Sequence, residues 1–529
     1  MSNALLFELL GPAGTNALLA SSEHFPILLV VVPMMAAPLC VILGRNALAW
    51  TVALIANLFA FLAAFVLVIA TQSGAVLSYA VGGWAPPLGI EYRVDAANAF
   101  VVLIVAMIGT ALMPYAWRSV RREIEERHVG LFYAAYLLCF AGLLGVAITG
   151  DAFNVFVFLE ISSLATYALV AMGARADRRA LSAAYDYLIL GTIGATFFVI
   201  GLGFLYMATG TLNMVDLAER IADQGDNRTV RSAFAFIVIG MGLKAAVFPM
   251  HRWLPGSYTY APSFISAFLA GTATKVAIYV IVRFAFSVYS GESDFERDTI
   301  EFLLLPLAVA GMFAASLVAV FQTNFKRMLA YSSVGQIGYM VLGVALLNAT
   351  GLSAAMVHLF NHAITKTALF MAAGAMVYRL GSANYGAMAG LGRRMPWTAA
   401  AIVLAGLSLI GVPSTAGFIS KWVLIQAALE KGWWPVAVLV VLSSLVAIVY
   451  VWRVVEVLYL RAPADGVEGT ATNDAPLSML VPMWSLVVAI FWFGLDASWT
   501  LEVSQQAAEG LLAGTFGAGS ETVIGVEGR

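Results

Sequence analysis

Residues 240–263 read GMGLKAAVFPMHRWLPGSYTYAPS, and residues 406–422 read GLSLIGVPSTAGFISKW. Each belongs to an apolar run of membrane-span character, and each is interrupted. Pro249, Pro255 and Pro262 remove backbone donors from the first, while Gly411, Pro413 and Gly417 punctuate the second. Irregular backbone at membrane depth survives only where protein or a water-filled cavity satisfies it, and paired broken helices in two halves of a chain point to an inverted-repeat transport fold. Proline is common in membrane helices, so the breaks alone would not carry that reading. Each break, however, holds a lysine, Lys244 or Lys421.

The rest of the chain sets the same scene. With 61% hydrophobic residues, 11% charged residues and a mean hydropathy of +0.90, it is an all-α polytopic membrane protein. Hydropathy predicts about fourteen spans of roughly 20 residues. They begin near residues 26, 48, 97, 130, 152, 183, 233, 264, 302, 329, 353, 397, 433 and 477. No polar stretch is long enough for a soluble catalytic domain. Cys40 and Cys139 both fall in apolar spans and offer neither a disulfide pattern nor metal spacing, so no metal or redox cofactor is expected. The first 24 residues lack a basic leader, so the first apolar segment reads as a retained span.

Four of the six lysines (Lys244, Lys275, Lys366 and Lys421) and Glu160 lie inside such spans. Each costs roughly 2.5–3.5 kcal/mol at the bilayer midplane, so the set marks an ion or proton path. Arginines concentrate in alternate loops: Arg118, Arg121, Arg122 and Arg127; Arg175, Arg178 and Arg179; Arg327 beside Lys326; and Arg379, Arg393 and Arg394. The positive-inside rule places those loops in the cytoplasm and both termini outside, with Lys326 and Arg327 as loop anchors. The net charge of −2 says nothing about nucleic acid, and with no basic patch to suggest it no nucleic-acid partner is expected.

Two helical rows stand out. His358, His362 and Lys366 recur every four residues, within about an 80° arc of one helix, with Asn361 close by. Histidine exchanges protons near neutrality, and no carboxylate or cysteine lies at the spacing that would complete a metal site. Ser332, Gln336 and Tyr339 form a second polar line suited to holding water. Glu160 is followed by Ser163, Thr166 and Tyr167 largely on one face. Burial disfavours the charged form of a carboxylate or an amine, while an opposite charge nearby favours it, so a Glu160–Lys244 pair could switch a proton on and off the lysine. The bland alternative is a static bridge between helices.

The strings KAAVFPMHRWLP, APSFISAFLAGTATKVAIYVIVR, KRMLAYSSVGQIGY, HLFNHAITKTALF and PSTAGFISKW resemble the signatures of the antiporter-like subunits shared by respiratory complex I, membrane-bound hydrogenases and Mrp-type cation/proton antiporters. The likeness runs from about residue 95 to 425, and YAVGGWAPPLGIEYRVDAANAF (79–100) is most similar to the D-type component of Mrp antiporters. The resemblance implies three N-terminal helices in 1–129, inverted five-helix repeats in 130–290 and 300–460, each with one broken helix, a last span at 477–496 and a polar tail over 497–529. It also implies a proton relay of Glu160, Lys244, Lys275, His358, His362, Lys366 and Lys421, with His251 after the first break. Glutamate takes the Lys421 slot in some members. Asp186 stands where many relatives have a basic residue, Asn324 where aspartate is usual, and Gly256–Ser257 replaces a polar-alanine pair.

Three functions compete: a proton-conducting subunit of a multisubunit sodium/proton antiporter in a bacterial-type plasma membrane, a pump subunit of a redox complex such as NADH:quinone oxidoreductase or a hydrogenase, and a scaffold whose charges only hold helices together. All three require partner subunits. The tail after residue 496 shows no long amphipathic helix of the kind that braces the distal member of complex I.

Overall fold

The computed structural model describes residues 22–44, 46–72, 74–225, 227–289, 293–462 and 473–513. The chain opens with helices α1 (Phe25–Leu43) and α2 (Asn46–Thr71) and a hairpin of β1 (Leu77–Ala80) with β2 (Glu91–Val94). Next come α3 (Ala96–Glu123), α4 (Val129–Ile148), α5 (Ala152–Ala171), α6 (Arg179–Thr209) and the short α7 (Met214–Gln224). Then follow α8 (Arg228–Ala245), α9 (Trp253–Tyr260), α10 (Ser263–Gly271) and α11 (Ala273–Arg283). After these come α12 (Leu305–Val320), α13 (Phe325–Ala345), α14 (Ala349–Leu380), α15 (Pro396–Ile410), α16 (Ala416–Glu430), α17 (Trp434–Val455), α18 (Leu477–Leu495) and α19 (Ser498–Leu512).

Short polar side chains start many of these helices. Asp95, Asp151, Asn227, Asn324 and Asn348 each accept a first-turn N–H, and Asp95 forms a reciprocal capping box with Asn98. Asn324 therefore caps α13 as an aspartate would, and its amide also donates to Asn384 Oδ1 at 2.8 Å, which a carboxylate could not. Among the described residues, eleven helices are long and apolar enough to cross a membrane. The helices that miss that standard include those carrying Lys244, Lys366 and Lys421, because breaks and polar groups lower their length or hydropathy.

The 32-residue α14 is the axis of the molecule. It packs against α3, α10, α13, α15, α16, α18 and α19, and is buried without interruption from Gly351 to Met376. Such close packing needs small residues, since lipid offers no hydrophobic drive between helices. A Cβ at Gly343 would fall 2.6 Å from the Gly351 carbonyl oxygen, so α13 and α14 meet backbone to backbone there.

Three features depart from the sequence reading. The all-α expectation missed the hairpin, which is pinned by Glu91: its carboxylate accepts from Ser78 at 2.6 Å and Asn213 at 2.9 Å and pairs with Arg93 at 3.1 Å. The expected polar tail begins with α19, whose Trp499 packs edge-on to Phe100 and Phe360; residues 514–529 lie outside the described residues, as do residues 1–21. Lys326, expected as a loop anchor, is buried (5% exposed) and donates to the Ala261 carbonyl at 2.9 Å.

One buried ion pair fastens the hairpin end of the bundle. Arg283 grips Asp95 with two hydrogen bonds of 2.7 Å and takes further contacts from Tyr279 and Ser287. Burial alone would raise the Asp95 carboxyl, but Arg283 overrides it and holds the group below its ordinary value near 3.8. A carboxyl depressed on folding contributes its full stability above that value and loses it as pH falls through the folded one. Arg283→Leu, which strands the carboxylate, is expected to cost about 3–5 kcal/mol. Thermal unfolding of the purified complex checks this, and Asp95→Asn added to Arg283→Leu should recover part of the loss.

Candidate functional site

The first break is built by α8 and α9. Helix α8 ends as Ala246 enters the left-handed region (φ 57), and Trp253 closes the gap by donating from Nε1 to the Leu243 carbonyl at 2.8 Å. The break leaves Lys244 on the last turn of α8, aimed across the bundle at α5. Its Nζ donates to Ser163 at 2.6 Å and stands 3.7 Å from Glu160 Oε1. Close approach of α6 and α8 makes room for this: Cβ atoms at Gly194 and Gly240 would fall 2.9 and 2.6 Å from each other's carbonyl oxygens. The Lys244 side chain is 5% exposed, while Glu160, at 26%, reaches the outward face of α5.

A second interruption escaped the sequence reading. The apolar run after Pro262 is split at Thr272 (φ −126, ψ −63) into α10 and α11. Breaking a helix frees carbonyls of the preceding turn. Lys275 turns back and donates to one of them, Ala270 O, with Thr274 Oγ1 3.4 Å away. A β-branched threonine after glycine was the signal available, but without proline it reads as ordinary helix.

The third break repeats that solution. Gly411 (φ 88) ends α15, and Lys421 of α16 donates to both the Leu409 and Ile410 carbonyls at 2.9 Å. Its ammonium also lies 4.7 Å from the centre of the Tyr339 ring, a favourable cation–π placement.

Between the second and third breaks runs the row on α14. Lys366 Nζ donates to Leu329 O at 2.8 Å and to the Ser332 hydroxyl. His358 lies between Ser420 (2.7 Å from Nδ1) and Gln336 (3.0 Å from Nε2). Its ring stacks on His362 at 6.0 Å, whose own nitrogens have no protein partner among the described residues. Asn361 holds the start of α16 by donating to Ala416 O at 2.6 Å. Lys275 is within electrostatic reach of His358, His362 and Lys366, and Lys421 of His358. Lys275, Lys366, His362, His358 and Lys421 thus share one electrostatic neighbourhood, in which His358 and His362 stack directly and Ser332, Gln336, Tyr339 and the unforeseen Ser420 touch individual members.

Glu160 and Lys244 form a second group, and among the described residues no hydrogen bond joins Lys244 to Lys275. His251 stands apart too: half-buried, it stacks on Phe248 at 5.3 Å and meets Tyr331 edge-on at 6.4 Å. Asp186 lies on the exposed face of α6, away from Lys244. No cluster able to hold a metal ion occurs among the described residues. Chemically, the site is a row of amines and imidazoles, most of them held by nearby hydroxyls, carbonyls or an amide, beside a separate lysine–carboxylate pair.

The model of the family described as NADH:quinone oxidoreductase/Mrp antiporter, TM, matches residues 149–447. The chain is 40% identical to the N-type component of the NADH-quinone oxidoreductase of Desulforudis audaxviator (strain MP104C), covering 90% of this chain and 96% of that protein. It is 28% identical to the D-type component of the Na(+)/H(+) antiporter of Bacillus subtilis (strain 168), covering 93% and 97%. Among solved structures, the Mrp complex from Dietzia sp. DQ12-45-1b holds a chain with TM-score 0.85 and 27% identity, covering 93% of this chain and 97% of that one. The archaeal membrane-bound sulfane sulfur reductase holds another with TM-score 0.85 and 30% identity, covering 93% and 98%.

Ser163 is the neutral partner of the Lys244 ammonium, and a hydrogen bond to a charged group contributes about 1.5–3 kcal/mol. Ser163→Ala is expected to slow proton flux in vesicles about tenfold, the rate change for about 1.4 kcal/mol, with assembly intact. Unchanged flux would mean that the hydroxyl only fills space.

Proposed function

Because this chain belongs to the NADH:quinone oxidoreductase/Mrp antiporter transmembrane family, we infer that it is the proton-conducting subunit of a multisubunit monovalent cation/proton antiporter in a bacterial-type plasma membrane. The observation that carries this reading is the buried row Lys275, Lys366, His362, His358 and Lys421, a sequence of groups each able to gain and lose a proton. Such groups are costly in a membrane unless they work. Sodium, named for the antiporter relatives, is the proposed coupling cation.

In this reading Glu160 is the switch. While it lies beside Lys244 the lysine keeps its proton; when the pair separates, burial favours release towards Lys275. Lys275, Lys366 and the two histidines pass the proton to Lys421, whose place at the broken α15–α16 junction suits an exit. His251 and Asp186 are auxiliary at most, since neither touches the row. The fold is read as fourteen spans: three N-terminal helices, inverted repeats over 130–290 and 300–460, and a last span at 477–496. The Arg-rich loops lie in the cytoplasm and both termini outside. The lysines repel a permeating metal ion, so the cation crosses elsewhere in the complex.

A second reading, a proton-pumping member of an NADH:quinone oxidoreductase, draws on the 40% identity to the N-type component of such a complex. Co-purification decides between them: iron–sulfur or flavin proteins favour the redox complex, and small membrane proteins with a larger homologue favour the antiporter.

Glu160→Gln keeps size and hydrogen bonding but removes the charge, so exchange in vesicles should collapse while assembly persists. Normal exchange would restore the static bridge. Lys421→Ala should abolish proton movement, and Lys421→Glu should retain part of it. A scaffold predicts the reverse for alanine, which removes an awkward buried charge at little cost. Flux assays with assembly checked by size exclusion separate the two.

A further inference from the structure

A cavity of about 160 Å³ opens where the Arg-rich loops gather, lined among others by Glu123, Tyr260, Ala261, Lys326, Ser382 and Asn384. It is large enough for several waters, at roughly 30 Å³ each in the liquid. Four of its lining residues carry charge that the relay does not use: Asp177 and Arg179 pair with each other at 2.6 Å, which leaves Glu123 and Lys326. Lys326 is buried and has one hydrogen bond to protein among the described residues, to Ala261 O, which leaves ammonium protons for the cavity. Glu123 accepts from Ser119 at 2.9 Å and from the Ser263 N–H at 2.9 Å, at the first turn of α10.

A polar line leads inward from Glu123. Ser119 and Tyr115 follow it at intervals of four on α3 and so share its face. The Tyr115 hydroxyl is fully buried, with the Ser119 hydroxyl within reach but no well-formed hydrogen bond to protein, and Gly374 makes the space for it: a Cβ there would fall 1.8 Å from that oxygen. Thr367, seven residues earlier on the same face of α14, has the same orphaned hydroxyl, faced by Gly271, whose Cβ would fall 2.4 Å away. Gly271 adjoins Ala270, whose carbonyl accepts from Lys275, so this hydroxyl lies on the Lys275 side of α14. Buried hydroxyls without protein partners take water, and the rise from Gly374 to Thr367 is about 10 Å, a gap that a few waters span.

We propose that this cavity is the aqueous port of the relay, with Glu123 as first proton acceptor and Ser119, Tyr115 and Thr367 as the hydroxyl line that delivers protons to Lys275. Each hydroxyl accepts one proton and gives up its own, so the line is left unchanged after reorientation. Lys326 fixes a positive charge beside the entrance, which discourages metal cations and leaves protons free to hop. A larger hollow of about 510 Å³ at the opposite end of α3, lined by Thr71, Gln72, Asp95, Gln506 and Glu509, reaches none of the buried lysines and carries no comparable line.

The port rests on the relay reading, and the test separates the two. In the whole complex reconstituted into vesicles, Tyr115→Phe removes the hydroxyl and keeps the ring and its packing. It is expected to leave thermal stability unchanged and to slow proton flux at least about tenfold. Glu123→Gln should do the same, and if that variant fails to assemble, Tyr115→Phe still decides. Ser382→Cys offers a third measurement: a membrane-impermeant thiol reagent added on the Arg-rich side should stop flux, whereas labelling Ser182→Cys on the outer face of α6 should not. Wild-type flux in both Tyr115→Phe and fully labelled Ser382→Cys, with Lys366→Ala inactive, overturns the port and leaves the relay standing. Full flux in Lys366→Ala overturns the relay and the port with it.

Discussion

The structure depends on how a membrane protein satisfies backbone that it has deliberately broken. In hydrocarbon no water is available for a freed carbonyl, and an unpaired ammonium is costlier still. Two of the breaks solve both problems with one contact: Lys275 meets Ala270 O, and Lys421 meets Leu409 O and Ile410 O. Neutral acceptors hold the ammonium in place without the deep Coulomb well of a carboxylate, as the proposed relay needs. The break at Lys244 is solved differently. There Trp253 takes the free carbonyl, and the lysine turns to the single membrane carboxylate of the site, Glu160.

That division gives the two halves different characters. The Glu160 end pairs an amine with a carboxylate at 3.7 Å, the arrangement the proposed switch needs, since an opposite charge nearby favours the protonated lysine. The α14 end contains only amines, imidazoles and neutral groups, so each added proton repels the next along the row. A charge at Lys366 is felt at His362, and one at Lys275 at both histidines, which is the coupling the proposed relay requires. The glycine contacts between α6 and α8 and between α13 and α14 hold these groups at fixed separations, since no side chain can give way there.

The outer surface is as informative as the core. Helices α2, α12 and α17 present leucine, valine and isoleucine outward, as lipid or partner helices require. Glu160 sits partly open on such a face, and Asp186 is exposed on α6 near Tyr185. A carboxylate does not face lipid cheaply, so these two stand out on an otherwise apolar surface.

Much of this was legible in the sequence. Hydropathy located helices near all the predicted starts, and the Pro/Gly runs with Lys244 and Lys421 marked two breaks, because backbone donors and buried charge are local properties written residue by residue. The four-residue period of His358, His362 and Lys366 placed them on one face for the same reason. What periodicity could not supply was the partner across the gap: Ser163 for Lys244, Ser420 and Gln336 for His358, Leu329 O for Lys366. Nor could it show that Lys326 is buried, that Thr272 breaks a helix, or that α19 folds back onto α14. Composition and period fix which face of a helix is polar; only packing of helices distant in the chain decides which carbonyl or hydroxyl meets it, and in a medium without water that meeting determines whether a buried lysine is a structural cost or a proton site.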